Sequence, residues 1–401
     1  MTKRVWIVII CAGAILSIVM GFRQTFGLFL PDITKHIGSG RETFSLAMAL
    51  MNLLWGLGSP FAGAIADRFG VSRVTLVGGL FYALGLWVMS TASGSPMLML
   101  AGVLIGFGLS GAGFSVVLGA VGRAASPAHR SKALALASMG GSVGQFLAVP
   151  YVQGLIGSTD WVISLLILAG MSLIIVPLAR GLVVKEEVNP SKLEVPKQRI
   201  KEALSEAGRH KGFWLLNAGF FVCGFNLAFI GIHMPAFLGD QGFQPWLAAS
   251  GLMLIGLMNM VGTYVFGTMG GRFPKKHVLS AIYFGRSIVF FLFLMLPLSK
   301  FSVLAFSMAM GFLWLGTVPL TSGLVAHIFG PAYMSMLYGI VFFSHQIGSF
   351  SGSWLAGYLF DTTGSYELMW WINVGLGIAA ALLHLPIAER PVARLVAAGS
   401  D

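Results

Sequence analysis

Apolar runs of about 20 residues follow one another from end to end of this chain, and that is the length a helix needs to cross a bilayer. Composition agrees: 56% of the 401 residues are hydrophobic and 10% are charged, against about 25% charged in a soluble globular protein. The runs are continuous rather than alternating, which excludes a porin-like barrel. The expected fold is therefore an all-α polytopic membrane protein. Twelve spans are predicted, at 5–30, 43–66, 73–92, 96–120, 132–157, 160–182, 212–237, 246–269, 277–297, 301–325, 334–358 and 367–388. The one long polar segment, 183–211, separates an N-terminal six-helix bundle (1–182) from a C-terminal one (212–401) and reads as a linker.

A net charge of +11 in a soluble protein would suggest nucleic acid. Here it has a simpler source. Lys and Arg fall at the N-terminus, the 66–73 turn, the 121–132 loop, the linker and its flanks, the 270–277 turn and the C-terminus. The exceptions are Lys35, Arg41 and Lys300 in the opposite loops, and Arg23 and Arg286 within spans. Counting spans puts the basic segments on one side, and the positive-inside rule makes that side cytoplasmic, with both termini on it. No nucleic-acid partner is expected. Compact loops point to a bacterial inner membrane, and a monomer is expected. Cys11 and Cys223 lie in apolar runs without disulfide or metal spacing. The first run is too long for a cleaved signal peptide.

The chain repeats itself. Gly63, Asp67, Arg68, Phe69, Gly70 and Arg73 form a short polar hinge between the second and third spans, and the pattern returns 204 positions later with Gly267, Gly271, Arg272 and Phe273. At the same offset Gly27 matches Gly231, Pro31 matches Pro235, Gly58 matches Gly262 and Gly144 matches Gly348. The Pro and Arg-Phe matches are much less likely by chance than the glycines. Six spans separate the copies, so they share a topology and are related by an axis along the membrane normal. Two such units around a midplane cavity make an alternating-access architecture.

The hinge resembles the signature between spans two and three of the major facilitator superfamily, whose fold of two parallel six-helix repeats it implies for the whole chain. The resemblance also implies a gating role for Asp67, Arg68 and Arg73, and for Arg272 in the second copy, where Gly271 replaces the acid. A narrower resemblance is to the monocarboxylate porter branch, which includes the oxalate–formate antiporter. It rests on Phe26, Gly27, Phe29, Pro31 and Ile33 closing the first span, on the small-residue run from Arg130 to Gly144, and on Gly357, Phe360, Asp361, Gly364 and Tyr366 between the last two. This branch implies a substrate-binding Lys where His345 stands, a functional Lys near Gln24, and an Arg where this chain has Thr263. Either Arg286 supplies that missing charge from the next helix, or the substrate is not a simple monocarboxylate.

Ionisable groups inside a membrane are costly and default to functional readings. No Asp or Glu falls in the middle of any span, whereas Arg23, Arg286, His233 and His345 do fall within spans. Cations without carboxylates favour an anionic substrate and argue against export of a cationic drug. Arg286 lies about nine residues into its span, roughly 14 Å deep. It either grips a carboxylate bidentately or bonds the carbonyls of a neighbouring helix. Arg23 lies in the outer third of the first span and either faces the cavity or snorkels outward. His345 binds an anion and carries a proton, or bonds a carbonyl. His233, before Pro235, is an outer gate or a cap. Asn259, Gln145 and Trp314 complete a site, or serve as packing glue.

The chain carries no nucleotide-binding loop, metal constellation or nucleophile–base pair. The expected function is secondary transport of a small organic anion, a monocarboxylate, without cofactor or enzymatic activity. Proton symport and anion exchange both fit. The rivals are an exporter of hydrophobic compounds and, more distantly, a non-transporting membrane sensor.

Overall fold

The computed structural model describes residues 1–126, 129–183, 199–330 and 333–397, and the regular elements among them are helices. In the first half these are α1 (Lys3–Ile37), α2 (Arg41–Phe69), α3 (Val71–Ser90), α4 (Ser95–Ala112), α5 (Phe114–Ala124), α6 (Arg130–Ser158), α7 (Trp161–Ser172) and α8 (Ile175–Ala179). A short amphipathic α9 (Ile200–Arg209) precedes the second half. There follow α10 (Lys211–Asp240), α11 (Pro245–Met269), α12 (Lys275–Met295), α13 (Lys300–Phe312), α14 (Thr317–Phe329), α15 (Met334–Thr363) and α16 (Glu367–His384), with α17 (Ala393–Ala397) at the end. Residues 184–198 of the expected linker lie outside the described residues.

Local chemistry sets several of these ends. Thr2 caps α1 by accepting from the Val5 N–H at 3.4 Å, and Asp160 caps α7 by accepting from Ile163 at 2.7 Å. Between α2 and α3 a single residue turns the chain. It is Gly70, at φ 98°, a conformation that a side chain would strain.

Among the described residues eleven helical stretches are long and apolar enough to span a membrane; three of them join pairs, α4 with α5, α7 with α8 and α13 with α14. Twelve were expected. The remaining one, 334–358, is part of α15, a 30-residue helix that is long enough but more polar than the others. Its His345, Gln346, Ser349 and Ser353 are buried in protein, and α2 and α10 cover it on two sides. A helix enclosed by protein is not obliged to be apolar all round, so a hydropathy criterion passes over it.

The helices repeat at the offset seen in the sequence. α2 begins at 41 and α11 at 245, α3 at 71 and α12 at 275, α6 at 130 and α15 at 334. Within the halves α1 packs on α6, and α10 packs on α15. Between the halves α2 packs on α15, and α11 packs on α6. These two cross-contacts are the same contact seen twice, which is what a two-fold relation between repeats demands. The face where α1 begins and α16 ends is called the termini face below, and the opposite one the far face.

Candidate functional site

Polar side chains gather where the two halves meet. A cavity of about 20 Å³ lies there, lined from the first half by Arg23, Gln24, Met48, Met51 and Asn52, and from the second by Leu227, Ala228, Gly231 and Ile232. Arg23 is partly buried; it donates to Asn52 Oδ1 at 3.1 Å, and its guanidinium carbon stands 5.3 Å from the Trp55 ring centroid. No carboxylate lines the cavity. Arg23 Nε, Gln24 Nε2 and Asn52 Nδ2 are buried without hydrogen-bond partners. Toward the far face the cavity ends at a crossing of α1 and α10, where a Cβ on Gly27 would stand 3.0 Å from the Gly231 carbonyl oxygen. Gly27 and Gly231 are repeat mates, so their contact sits on the axis that relates the halves.

From Gln24 a chain of amides runs into the other half. Gln145 Nε2 donates to Gln24 Oε1 at 3.2 Å, and Asn259 Nδ2 donates to Gln145 Oε1 at 2.8 Å. Asn259 Oδ1 in turn accepts from Thr263 Oγ1 at 3.0 Å and from the Leu315 backbone N–H at 2.9 Å. That N–H is available because the tenth span is broken between α13 and α14.

Arg286 serves the same break. It is fully buried. Nε and Nη2 donate to the Leu313 carbonyl at 3.0 and 2.8 Å, Nη2 also donates to the Trp314 carbonyl, and the guanidinium lies 5.1 Å from the Tyr283 ring centroid. Of the two readings open from sequence, this is the bonding of a neighbouring helix's carbonyls. Neither Arg286 nor Trp314 lines the cavity.

His345 is 5% exposed, and neither ring nitrogen has a hydrogen-bond partner. Its ring stacks on Phe342 at 5.2 Å and an 8° tilt. Phe342 meets Trp55 of the other half at 4.8 Å, so a ladder of rings joins Arg23 to His345. His233 is engaged at both nitrogens: Nε2 is 2.9 Å from the Ser353 carbonyl and Nδ1 is 3.1 Å from the Tyr366 hydroxyl. A neutral imidazole satisfies both, donating to the carbonyl and accepting from the hydroxyl. His233 thus ties α10 to α15 and to the start of α16.

Among the expected gating residues, Asp67 pairs with Arg123 at the end of α5. Arg68 lies over Phe69 at 5.1 Å, and Arg68, Arg73 and Arg272 are exposed on the termini face. Arg123 was not singled out in the sequence. Its signal there is that of any basic loop residue.

The sequence matches the family described as Major Facilitator Superfamily over residues 6–353. Monocarboxylate transporter 13 of Bos taurus is 26% identical, over 97% of this chain and 92% of that protein. The uncharacterized MFS-type transporter YcxA of Bacillus subtilis (strain 168) is 22% identical over 93% of each chain, and YhjX of Escherichia coli (strain K12), also an uncharacterized MFS-type transporter, is 25% identical over 86% of this chain and 85% of its own length. With a match over most of its length and the helices in their repeated order, the chain belongs to the Major Facilitator Superfamily of membrane transporters.

Proposed function

We propose that the protein carries a small organic anion, a monocarboxylate, by alternating access of its two halves. One observation carries the reading. Arg23 sits in a small cavity between the halves, among amide donors, with no carboxylate among the described residues that line it. A partly buried guanidinium without a counter-ion is costly, and a substrate carboxylate relieves that cost with charge-assisted hydrogen bonds. Asn52, Gln24 and Gln145 are the neighbours that orient the anion. His345 is the ionisable group nearest along the ring ladder, and a coupled proton travels either there or on the anion itself.

The relatives named monocarboxylate transporters support the class of solute. The distribution of Lys and Arg supports cytoplasmic termini. Asp67 with Arg123, Arg68 and Arg73, and Arg272 in the second copy, control opening on that side.

The test is uptake of a panel of labelled monocarboxylates into proteoliposomes, with and without an inward proton gradient. Gradient-driven uptake of one acid supports symport. Uptake only against preloaded anion makes the protein an exchanger. If none of the acids moves in either condition, the anion reading is wrong and export of hydrophobic compounds takes its place.

A further inference from the structure

The two hinge copies differ in the one acidic residue. The first has Asp67 and the second has Gly271. In the first half Asp67, at the end of α2, forms its ion pair with Arg123 at the end of α5. At the repeat offset Arg123 corresponds to His327, in the last turn of α14. The second half therefore keeps a basic side chain at this place and has lost the acid opposite it.

An acid arrives from elsewhere. Past α16 the chain turns back along the termini face, and the Glu389 carboxylate accepts from the backbone N–H of Lys276 in the first turn of α12. The Glu389 carbonyl oxygen lies 3.1 Å from His327 Nε2. Two more contacts hold the segment in place. Val392 N–H donates to the Ile328 carbonyl at 3.0 Å. Arg394 Nη2 donates to the Phe329 carbonyl at 3.1 Å and lies 3.4 Å from Glu206 of α9.

We propose that residues 385–397 form a clasp in which Glu389, as a positioning residue, supplies the carboxylate that the second hinge has lost. Glu389 holds the start of α12 with its carboxylate and meets His327 at the end of α14 with its backbone carbonyl. The tail thereby draws these ends together, as Asp67 draws the end of α2 to α5. A carboxylate at the first turn of a helix meets unpaired N–H groups and the positive end of the dipole. Releasing it frees those ends to move apart, so Glu389 sets how readily the termini face opens. The inference goes beyond the substrate reading and stands whatever solute is carried.

The test needs no substrate. Met334, at the start of α15, is buried and packs against Gly122 of α5 in the other half, so it is reached from solution when the termini face opens. In the full chain in lipid nanodiscs, a Met334→Cys variant is labelled with a membrane-impermeant maleimide, and the same protein without that change corrects for Cys11 and Cys223. Adding Glu389→Gln is expected to speed labelling about three- to ten-fold, the weight of one partly exposed charge-assisted hydrogen bond. Adding Gly271→Asp and His327→Arg to that variant rebuilds the first half's pair and is expected to return labelling to the parent rate. There is room for it, since a Cβ on Gly271 meets nothing closer than the Thr268 oxygen at 3.4 Å. Arg390→Gln, at the exposed next residue, is expected to change nothing. An unchanged rate in Glu389→Gln, a raised rate that the rebuilt pair fails to lower, or an equal rise in Arg390→Gln would each overturn the proposal.

Discussion

The fourth and tenth spans are copies of one another, and both are broken, yet the two breaks are held together by different chemistry. In the first half the break is one residue, Gly113, between α4 and α5. Trp55 of α2 packs into it so closely that a Cβ on Gly113 would stand 2.8 Å from the indole nitrogen and 2.3 Å from the Leu109 oxygen. In the second half the break runs from 313 to 316. At the repeat position of Trp55 stands Asn259, which accepts from the Leu315 N–H. At the repeat position of Tyr82, whose hydroxyl donates to the Val19 carbonyl at 3.1 Å, stands Arg286. At its break the first copy uses a ring and the second an amide and a cation; the Tyr82 hydroxyl instead ties α3 to α1.

The difference follows from length. Inside a bilayer an unwound segment must find partners within the protein for every backbone N–H and C=O it releases. A ring plugs a one-residue gap, whereas a longer gap needs donors and acceptors. The polar solution also does something the aromatic one does not. Asn259 has an N–H to spare after serving the break, and it spends that group on Gln145 across the interface. The second half is thereby wired to the first through the amide chain that ends at the cavity.

Substitutions at the two breaks test this difference. The largest effect belongs to Arg286→Leu, which strands the Leu313 and Trp314 carbonyls and is expected to cost about 3 kcal/mol. Its counterpart Tyr82→Phe is expected to cost about 1 kcal/mol. Thermal unfolding in detergent ranks the two, and equal costs would mean that Arg286 does no more for the second break than an ordinary interhelical hydroxyl does. Next comes Gly113→Ala, expected to cost about 2 kcal/mol by overpacking against the indole. Thr317→Ala, at the repeat position, removes only a 3.4 Å contact with Cys223, so its unfolding midpoint should stay near the parent's. Thr263→Val is expected to match Tyr82→Phe in size. It deletes one of the bonds to Asn259 and leaves the Leu315 bond intact, for about 1 kcal/mol. Its transport rate should stay near the parent's, because Asn259 keeps its hold on both the break and Gln145.

Much of the architecture was legible because membrane spans and repeats are written in composition and spacing. The offset that pairs Pro31 with Pro235 also pairs α6 with α15 to the residue at their starts. Arg23 and Arg286 stood out as charges in apolar runs. Where each guanidinium goes was not legible, since that depends on partners distant in sequence. For Arg286 the partner is a break in α13–α14 that no proline at 313–316 announces. His233, before Pro235, read as an outer gate or a cap, but the residues that bond its two nitrogens lie more than a hundred positions away. Glu389 was silent for the same reason: the sequence does not say to which helix ends a tail returns.

The most direct single measurement is anion uptake and unfolding midpoint for Arg23→Gln and Arg286→Gln, side by side with the parent in the same proteoliposome and detergent preparations. The expected result is a split. Arg23→Gln keeps the parent's midpoint and loses uptake, because its guanidinium serves the anion; Arg286→Gln loses stability, because its guanidinium serves the backbone. The reverse split, with a stable Arg286→Gln that no longer transports and an Arg23→Gln that does, would contradict the assignment and move the substrate site to the tenth span.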